Sequence, residues 1–82
     1  MPVSNKKYSI ILWRISRQLT ELIMKSYKIN FKQAVKLLFT SKTYAMLEDE
    51  SNKLWHFSAL FLFKVLDNEQ KTGLFEMPEV IL

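Results

Sequence analysis

Apolar residues recur every three or four positions along the first third of the chain, which is the spacing of one helix face. This spacing predicts a helix from about Ser4 to Tyr27, with Ser4 or Asn5 as its N-cap. The apolar stripe of this predicted helix consists of Tyr8, Leu12, Ile15, Leu19, Leu22, Ile23 and Tyr27.

Three apolar residues of this first helix, Ile10, Trp13 and Met24, lie off the stripe. The helix therefore has more apolar surface than one partner face can cover. Two interpretations follow: it is the central helix of a bundle, or its second face contacts another chain.

Three further helices are predicted, each beginning after a residue whose side chain can cap it. The second helix has the Asn30 and Gln33 spacing of a capping box. The predicted spans, with their N-caps, are Phe31 to Phe39 after Asn30, Lys42 to Asp49 after Ser41, and Ala59 to Thr72 after Ser58. The second helix is expected to bury Phe31, Ala34, Val35, Leu38 and Phe39.

The segments outside these helices are also rich in apolar residues. Residues 51–57 include Leu54, Trp55 and Phe57, so we expect this connection to lie flat on the core. Gly73 is placed to end the last helix in a left-handed conformation. The tail, residues 74–82, is apolar and contains Pro78, which blocks a continuous helix. We expect the tail to pack on its own bundle, on a neighbour or on a partner.

Composition supports one helical domain spanning residues 1–82. Hydrophobic residues make up 49% of the chain, whereas it contains one glycine and two prolines, too few for a turn-rich β architecture. No apolar run approaches the roughly 20 residues of a membrane span. The chain has no cysteine, which excludes disulfides and thiolate metal sites and fits a cytoplasmic protein. The predicted fold is all-α, a small bundle of about four helices with an apolar C-terminal tail.

Charge is distributed unevenly along the chain. Residues 1–47 carry nine basic residues and one acidic residue, whereas residues 48–82 carry three basic and seven acidic residues. Three interpretations are open: the two halves pack together and partly neutralise each other, the basic half binds an acidic partner or nucleic acid, or the first helix lies on a membrane surface. The last is disfavoured because that helix is apolar around too much of its circumference.

The residues that carry chemistry form no catalytic pattern. A glycine-rich phosphate loop is absent, and His56, the only histidine, is expected to be a packed or cap-linked side chain of the connection. The adjacent acids Glu48, Asp49 and Glu50 point in different directions on a helix and do not chelate together. The sequence therefore predicts no enzyme, and no cofactor, metal or small-molecule ligand.

The second and third helices resemble a helix-turn-helix in their spacing, with Ala34 and Tyr44 inside. The turn lacks its usual glycine, and the third helix would expose Lys42 and Thr43 before three acids that repel phosphates. DNA binding is therefore kept as the alternative function. It would use Lys25, Lys28, Lys32, Lys36 and Lys42.

The middle of the chain resembles a group of short bacterial helical proteins of unknown function. The shared pattern is an apolar helix, then Ser-Lys-x-Tyr, Leu-x-Asp-Glu and Lys-Leu-Trp-His-x-Ser, found here between Ala34 and Ser58. The resemblance covers residues 31–66. It implies an antitoxin-type or accessory role, because some members of such groups occur beside toxin-like genes, and it implies no catalytic residues.

The function predicted from these observations is binding to a protein, either a second copy of the chain or a different partner. Aromatic and apolar residues without an assigned place in the core would form the contact. The predicted protein-binding residues are Trp13, Met24, Trp55, His56, Phe75, Met77, Val80 and Ile81.

Overall fold

The computed structural model describes residues 5–76 and confirms the predicted all-α bundle. Its helices, in chain order, are α1 (Asn5–Tyr27), α2 (Phe31–Phe39), α3 (Lys42–Glu48) and α4 (Ala59–Thr72). The predicted bounds of α2 and α4 are confirmed, and α3 ends one residue earlier than predicted. Two short 3₁₀ turns, Glu50–Asn52 and Leu54–His56, connect α3 to α4.

The predicted caps fix where the helices begin. The Asn30 side chain accepts a hydrogen bond from the Gln33 N–H at 2.8 Å, and the Gln33 side chain accepts one from the Asn30 N–H at 3.2 Å, which completes the capping box of α2. The hydroxyls of Ser41 and Ser58 cap α3 and α4 in the same way. Gly73 ends α4 with φ +79°, a conformation that glycine adopts without steric cost.

The core is built around α1, which packs against both α2 and α4. α1 therefore has the central position, but its off-stripe residues Ile10 and Trp13 are 62% and 64% exposed, so this position does not account for all of its apolar surface. Its residues Leu19 and Ile23 are fully buried, together with Leu38 of α2 and Leu62 and Leu66 of α4. Burying such a side chain stabilises the fold by about 1.5–3 kcal/mol each.

Two tyrosines fasten α1 to the rest of the bundle. Near its start, the Tyr8 hydroxyl donates a hydrogen bond to the Leu47 carbonyl of α3. At its end, the Tyr27 hydroxyl donates to the Asp67 carboxylate of α4 at 2.6 Å. This bond, aided by Lys71, lowers the pKa of Asp67, while burial and the same bond raise the pKa of Tyr27.

A buried carboxylate joins α4 to α3. Glu69 accepts hydrogen bonds from the backbone N–H groups of Lys42 and Thr43, at 2.8 and 2.9 Å, and from the Thr43 hydroxyl at 2.7 Å. Burial by itself raises the pKa of Glu69, but these bonds and the Lys42 charge outweigh it and lower the pKa below its ordinary value. The prediction that Thr43 is exposed was wrong. Thr43 is fully buried, because its hydroxyl donates a hydrogen bond to the Glu69 carboxylate.

The connection between α3 and α4 lies on the core, as predicted. Leu54 is buried, and Trp55 and Phe57 pack against the core cluster. Lys53 adopts a left-handed conformation with φ +57° and separates the two 3₁₀ turns. The Asp49 carboxylate accepts bonds from the N–H and hydroxyl of Ser51 and begins the first of these turns.

Between residues 5 and 76, every helix is too short or too polar to cross a lipid bilayer.

Replacing Glu69 by Gln is expected to destabilise the protein by about 1–3 kcal/mol, because two N–H groups and a hydroxyl lose their charged acceptor. The melting temperature would fall by roughly 4–8 °C per kcal/mol. Since the folded pKa of Glu69 lies below the unfolded one, its contribution is present above pH about 4.3 and is lost as the pH falls further. Urea unfolding at pH 7 and at pH 3 measures both effects.

Glu48→Gln is the matched control, because Glu48 is an exposed acid at the end of α3. The two variants should differ clearly in stability at pH 7, and the difference should become smaller as the pH falls toward 3. Equal stability losses at pH 7 would contradict the assigned role of Glu69.

Candidate protein-binding groove

A groove runs along the surface between α1 and α2. It encloses about 430 Å³. The residues that line it are Trp13, Ser16, Arg17, Thr20 and Glu21 of α1 and Phe31, Val35 and Phe39 of α2. We refer to it below as the α1–α2 groove.

The groove follows from the short link between the two helices. Residues 28–30 join them, and so short a connection keeps the two helices in contact with each other. Each wall contains eight helical steps, from Trp13 to Glu21 on α1 and from Phe31 to Phe39 on α2. At 1.5 Å per residue, the groove is therefore about 12 Å long.

The α2 wall corrects the sequence prediction. Phe31 and Phe39, predicted to be buried, are 63% and 55% exposed, whereas Ala34 and Leu38 are fully buried. The apolar residues of α2, Leu37 included, cover an arc of about 200° at 100° per residue, which is wider than the side that the core covers. This width, readable in the sequence, is the signal that some of these residues face outward.

Aromatic contacts hold both rims of the groove. The Phe39 ring stacks on the Tyr44 ring of α3, with centroids 4.6 Å apart and planes 16° apart. On the other rim Trp13 is 64% exposed, and the Arg17 guanidinium lies 5.9 Å from its ring centroid. The exposed ion pair between Arg17 and Glu21, at 3.7 Å, contributes little stability. Trp13, a predicted binding residue, thus lines the same groove as Phe31 and Phe39, which were not predicted as binding residues.

The floor of the groove contains the buried hydroxyl of Ser16, which forms no hydrogen bond with the described residues. Ser16 is 9% exposed, and its Oγ has no hydrogen-bond partner among the residues that the structure describes. The Ser16 carbonyl is bonded, since it accepts from the Thr20 hydroxyl at 2.8 Å. A buried hydroxyl without a partner costs about 1–3 kcal/mol.

The other predicted protein-binding residues do not join this groove. Met24 is partly buried and lines a second, more open depression with Lys25. Trp55 is partly buried, and its Nε1–H donates to the Glu50 carbonyl at 3.1 Å. His56 is exposed, with its ring 4.4 Å from that of Phe57. Phe75 is half-buried against the core cluster. Three further predicted residues, Met77, Val80 and Ile81, lie outside the described residues.

The lysines proposed for nucleic-acid binding divide into two groups. The side chains of Lys25, Lys28, Lys32 and Lys36 are exposed. Lys42 is also exposed, but its ammonium donates to the Gly73 carbonyl at 3.0 Å, and its N–H donates to Glu69. At 100° per residue, Lys32 and Lys36 lie about 60–100° around α2 from Val35, on the side away from the buried Ala34 and Leu38. They are therefore beside the groove, toward solvent.

The groove offers apolar contact rather than catalytic chemistry. Its polar side-chain groups are two hydroxyls, one guanidinium, one carboxylate and the indole N–H of Trp13. In the described part of the chain, no three His, Asp or Glu side chains come together as a metal site would require. What the arrangement can do is bury an apolar side chain of another molecule between aromatic rings.

No protein-family model, curated protein or solved structure matches the chain. The resemblance to short bacterial helical proteins therefore stays a prediction.

Replacing Ser16 by Ala is expected to stabilise the protein, because it removes a buried hydroxyl that has no partner. Ser9→Ala is the control, since Ser9 is exposed on the same helix and its replacement changes helix propensity alone. The gain at Ser16 should exceed the gain at Ser9 by about 1 kcal/mol in urea unfolding. A loss of stability at Ser16 would show that its hydroxyl is hydrogen-bonded in solution.

Phe31→Ala and Leu38→Ala should differ strongly although both remove a large apolar side chain from α2. Leu38 is fully buried, so its replacement leaves a cavity and should cost about 2–5 kcal/mol. Phe31 is mostly exposed, and its replacement should change stability by about 0.5 kcal/mol or less. Thermal unfolding of the two variants tests the outward orientation of Phe31, which similar losses would refute.

Proposed function

We propose that this protein is a protein-binding module and that the α1–α2 groove is its binding surface. The observation that carries the proposal is the grouping of Trp13, Phe31 and Phe39, each more than half exposed, along one groove. Tryptophan and other aromatic side chains are favoured anchors of protein interfaces because each buries a large area at a low cost in conformational entropy.

The rigidity of the walls supports this function. Both walls are helices that are anchored in the core by fully buried residues such as Leu19 of α1 and Leu38 of α2. Phe39 is held further by its stacking on Tyr44. A preformed surface loses little side-chain freedom when a partner binds, so more of the contact energy remains as affinity.

The DNA-binding alternative receives less support from the geometry around α3. The first N–H groups of α3, which a phosphate would approach in a helix-turn-helix, are hydrogen-bonded to Glu69. Lys42 donates to Gly73. This alternative would therefore depend on Lys25, Lys28, Lys32 and Lys36.

Two further parts of the proposal come from the sequence. The resemblance to short bacterial helical proteins points to an antitoxin-type or accessory role, in which the groove would cover part of a partner protein. The cysteine-free composition points to the cytoplasm.

The test replaces Trp13 and Phe39 together by Ser and compares this variant with Leu60→Ser. Leu60 is the matched control, because it is 56% exposed on α4 and lies outside the groove. Light scattering at low and high salt first shows whether the unchanged protein self-associates. If it does, the double variant should become monomeric, whereas Leu60→Ser should keep the assembly.

If the unchanged protein is a monomer, it is used to capture a partner from host extract, and the double variant should lose that partner while Leu60→Ser keeps it. If the double variant and Leu60→Ser keep or lose the assembly alike, or keep or lose the captured partner alike, binding through the groove is contradicted. Truncation after Gly73 tests separately the predicted contribution of the tail to assembly.

A further inference from the structure

We infer that the occupant of the α1–α2 groove is an amphipathic helix of a partner protein whose apolar face is edged by Asp and Glu residues. This inference rests on the proposed function and specifies the chemistry of the partner. It follows from the backbone of the groove walls, from their length and from the charges along their rims.

The walls favour a helix over an extended peptide. Both walls are α-helices, whose backbone N–H and C=O groups are already hydrogen-bonded to each other, so the groove presents no sheet edge to a strand. An extended segment would leave its own backbone unpaired against apolar rings. A helix satisfies its backbone internally, and a groove about 12 Å long accepts two of its turns.

The spacing of the aromatic rings fits side chains on one face of such a helix. Phe31 and Phe39 stand two turns apart on α2, and Val35 lies half-buried between them. Apolar residues at positions i, i+4 and i+7 of the occupant would contact this row, with Trp13 covering them from the α1 side.

The rims determine the charge of the partner. Lys32 and Lys36 do not line the groove but are exposed beside it on the solvent side of α2, and Arg17 lines it from α1. From residue 5 to residue 39 the chain carries eight basic residues and one acidic residue, Glu21, which is paired with Arg17. Acidic residues beside the apolar face of the occupant would lie opposite these cations, and basic residues there would be repelled.

A second copy does not supply this occupant from its described helices. The four helices carry four acids: Glu21 lines the groove itself, Glu48 lies at the last position of α3, and Glu69 is buried. The fourth, Asp67, is already bonded to Tyr27 and Lys71. None of the four helices combines an open apolar face with a row of exposed acids along it. The chemistry of the groove therefore points to a different protein.

The experiment measures the binding of labelled synthetic helices to the full chain by fluorescence anisotropy. Each peptide is about 16 residues long, enough to form a helix, and has leucines at i, i+4 and i+7. The flanking positions carry Glu in one peptide, Gln in the second and Lys in the third. The Glu peptide should bind at least tenfold more tightly than the Lys peptide, with the Gln peptide between them, and its affinity should fall as salt is added.

Two charge-reversal variants locate the effect on the rim. Lys32→Glu with Lys36→Glu should reverse the preference, so that the Lys peptide binds more tightly than the Glu peptide. Lys53→Glu with Lys64→Glu is the matched control, because both lysines are exposed away from the groove, and it should retain the original order of the peptides. Similar effects of the two variants would assign the preference to net charge and overturn the inference.

The remaining outcomes separate the inference from the proposed function. If the three peptides bind equally, and Trp13→Ser with Phe39→Ser abolishes binding, the groove binds protein without regard to charge and only the inference fails. If no peptide binds, the inference fails, and the proposed function is then decided by the assembly and capture assays. Tighter binding of a peptide of residues 74–82, or of a DNA oligonucleotide, would also overturn the inference.

Discussion

The hydrogen bonds between Glu69 and the start of α3 are the interaction on which the arrangement of the surface depends. α3 is only seven residues long, too short to be a stable helix by itself, and its first N–H groups need an acceptor. The Glu69 carboxylate satisfies two of them and the Thr43 hydroxyl. Because α3 is fixed in this way, Tyr44 is held in place to stack on Phe39, so a buried charge on α4 helps to define one end of the α1–α2 groove.

Much of the fold could be predicted from the sequence because its signals are local. The capping box at Asn30 and Gln33, the serine caps and Gly73 act over a few residues, and a linear pattern records them. The contact between Glu69 and Thr43 joins residues 26 positions apart. Both residues are polar and would be assigned to the surface, so no periodicity in the sequence indicates that they meet in the interior.

The candidate site was only partly predictable for a related reason. Trp13 was identified because it lies off a long, well-defined stripe. α2 has only nine residues, and its apolar positions form one broad arc. Which edge of that arc faces the core depends on where α1 packs, and Ala34 indicates the answer: its small side chain allows α1 to approach closely, leaving Phe31 and Phe39 outside the contact. The sequence contains both possibilities, and tertiary packing selects one.

The cations beside the groove affect how readily the grooves of two copies come into contact. Exposed aromatic rings promote aggregation when like surfaces meet, but two copies that approach groove to groove also bring Lys32 and Lys36 of each toward those of the other. This repulsion acts over a screening length of about 8 Å at physiological ionic strength. In the proposed complex, acidic residues of the partner would neutralise these cations in the same step in which its apolar face covers the aromatic rings. The charge that opposes contact between two grooves would then be lost only once the rings are no longer exposed.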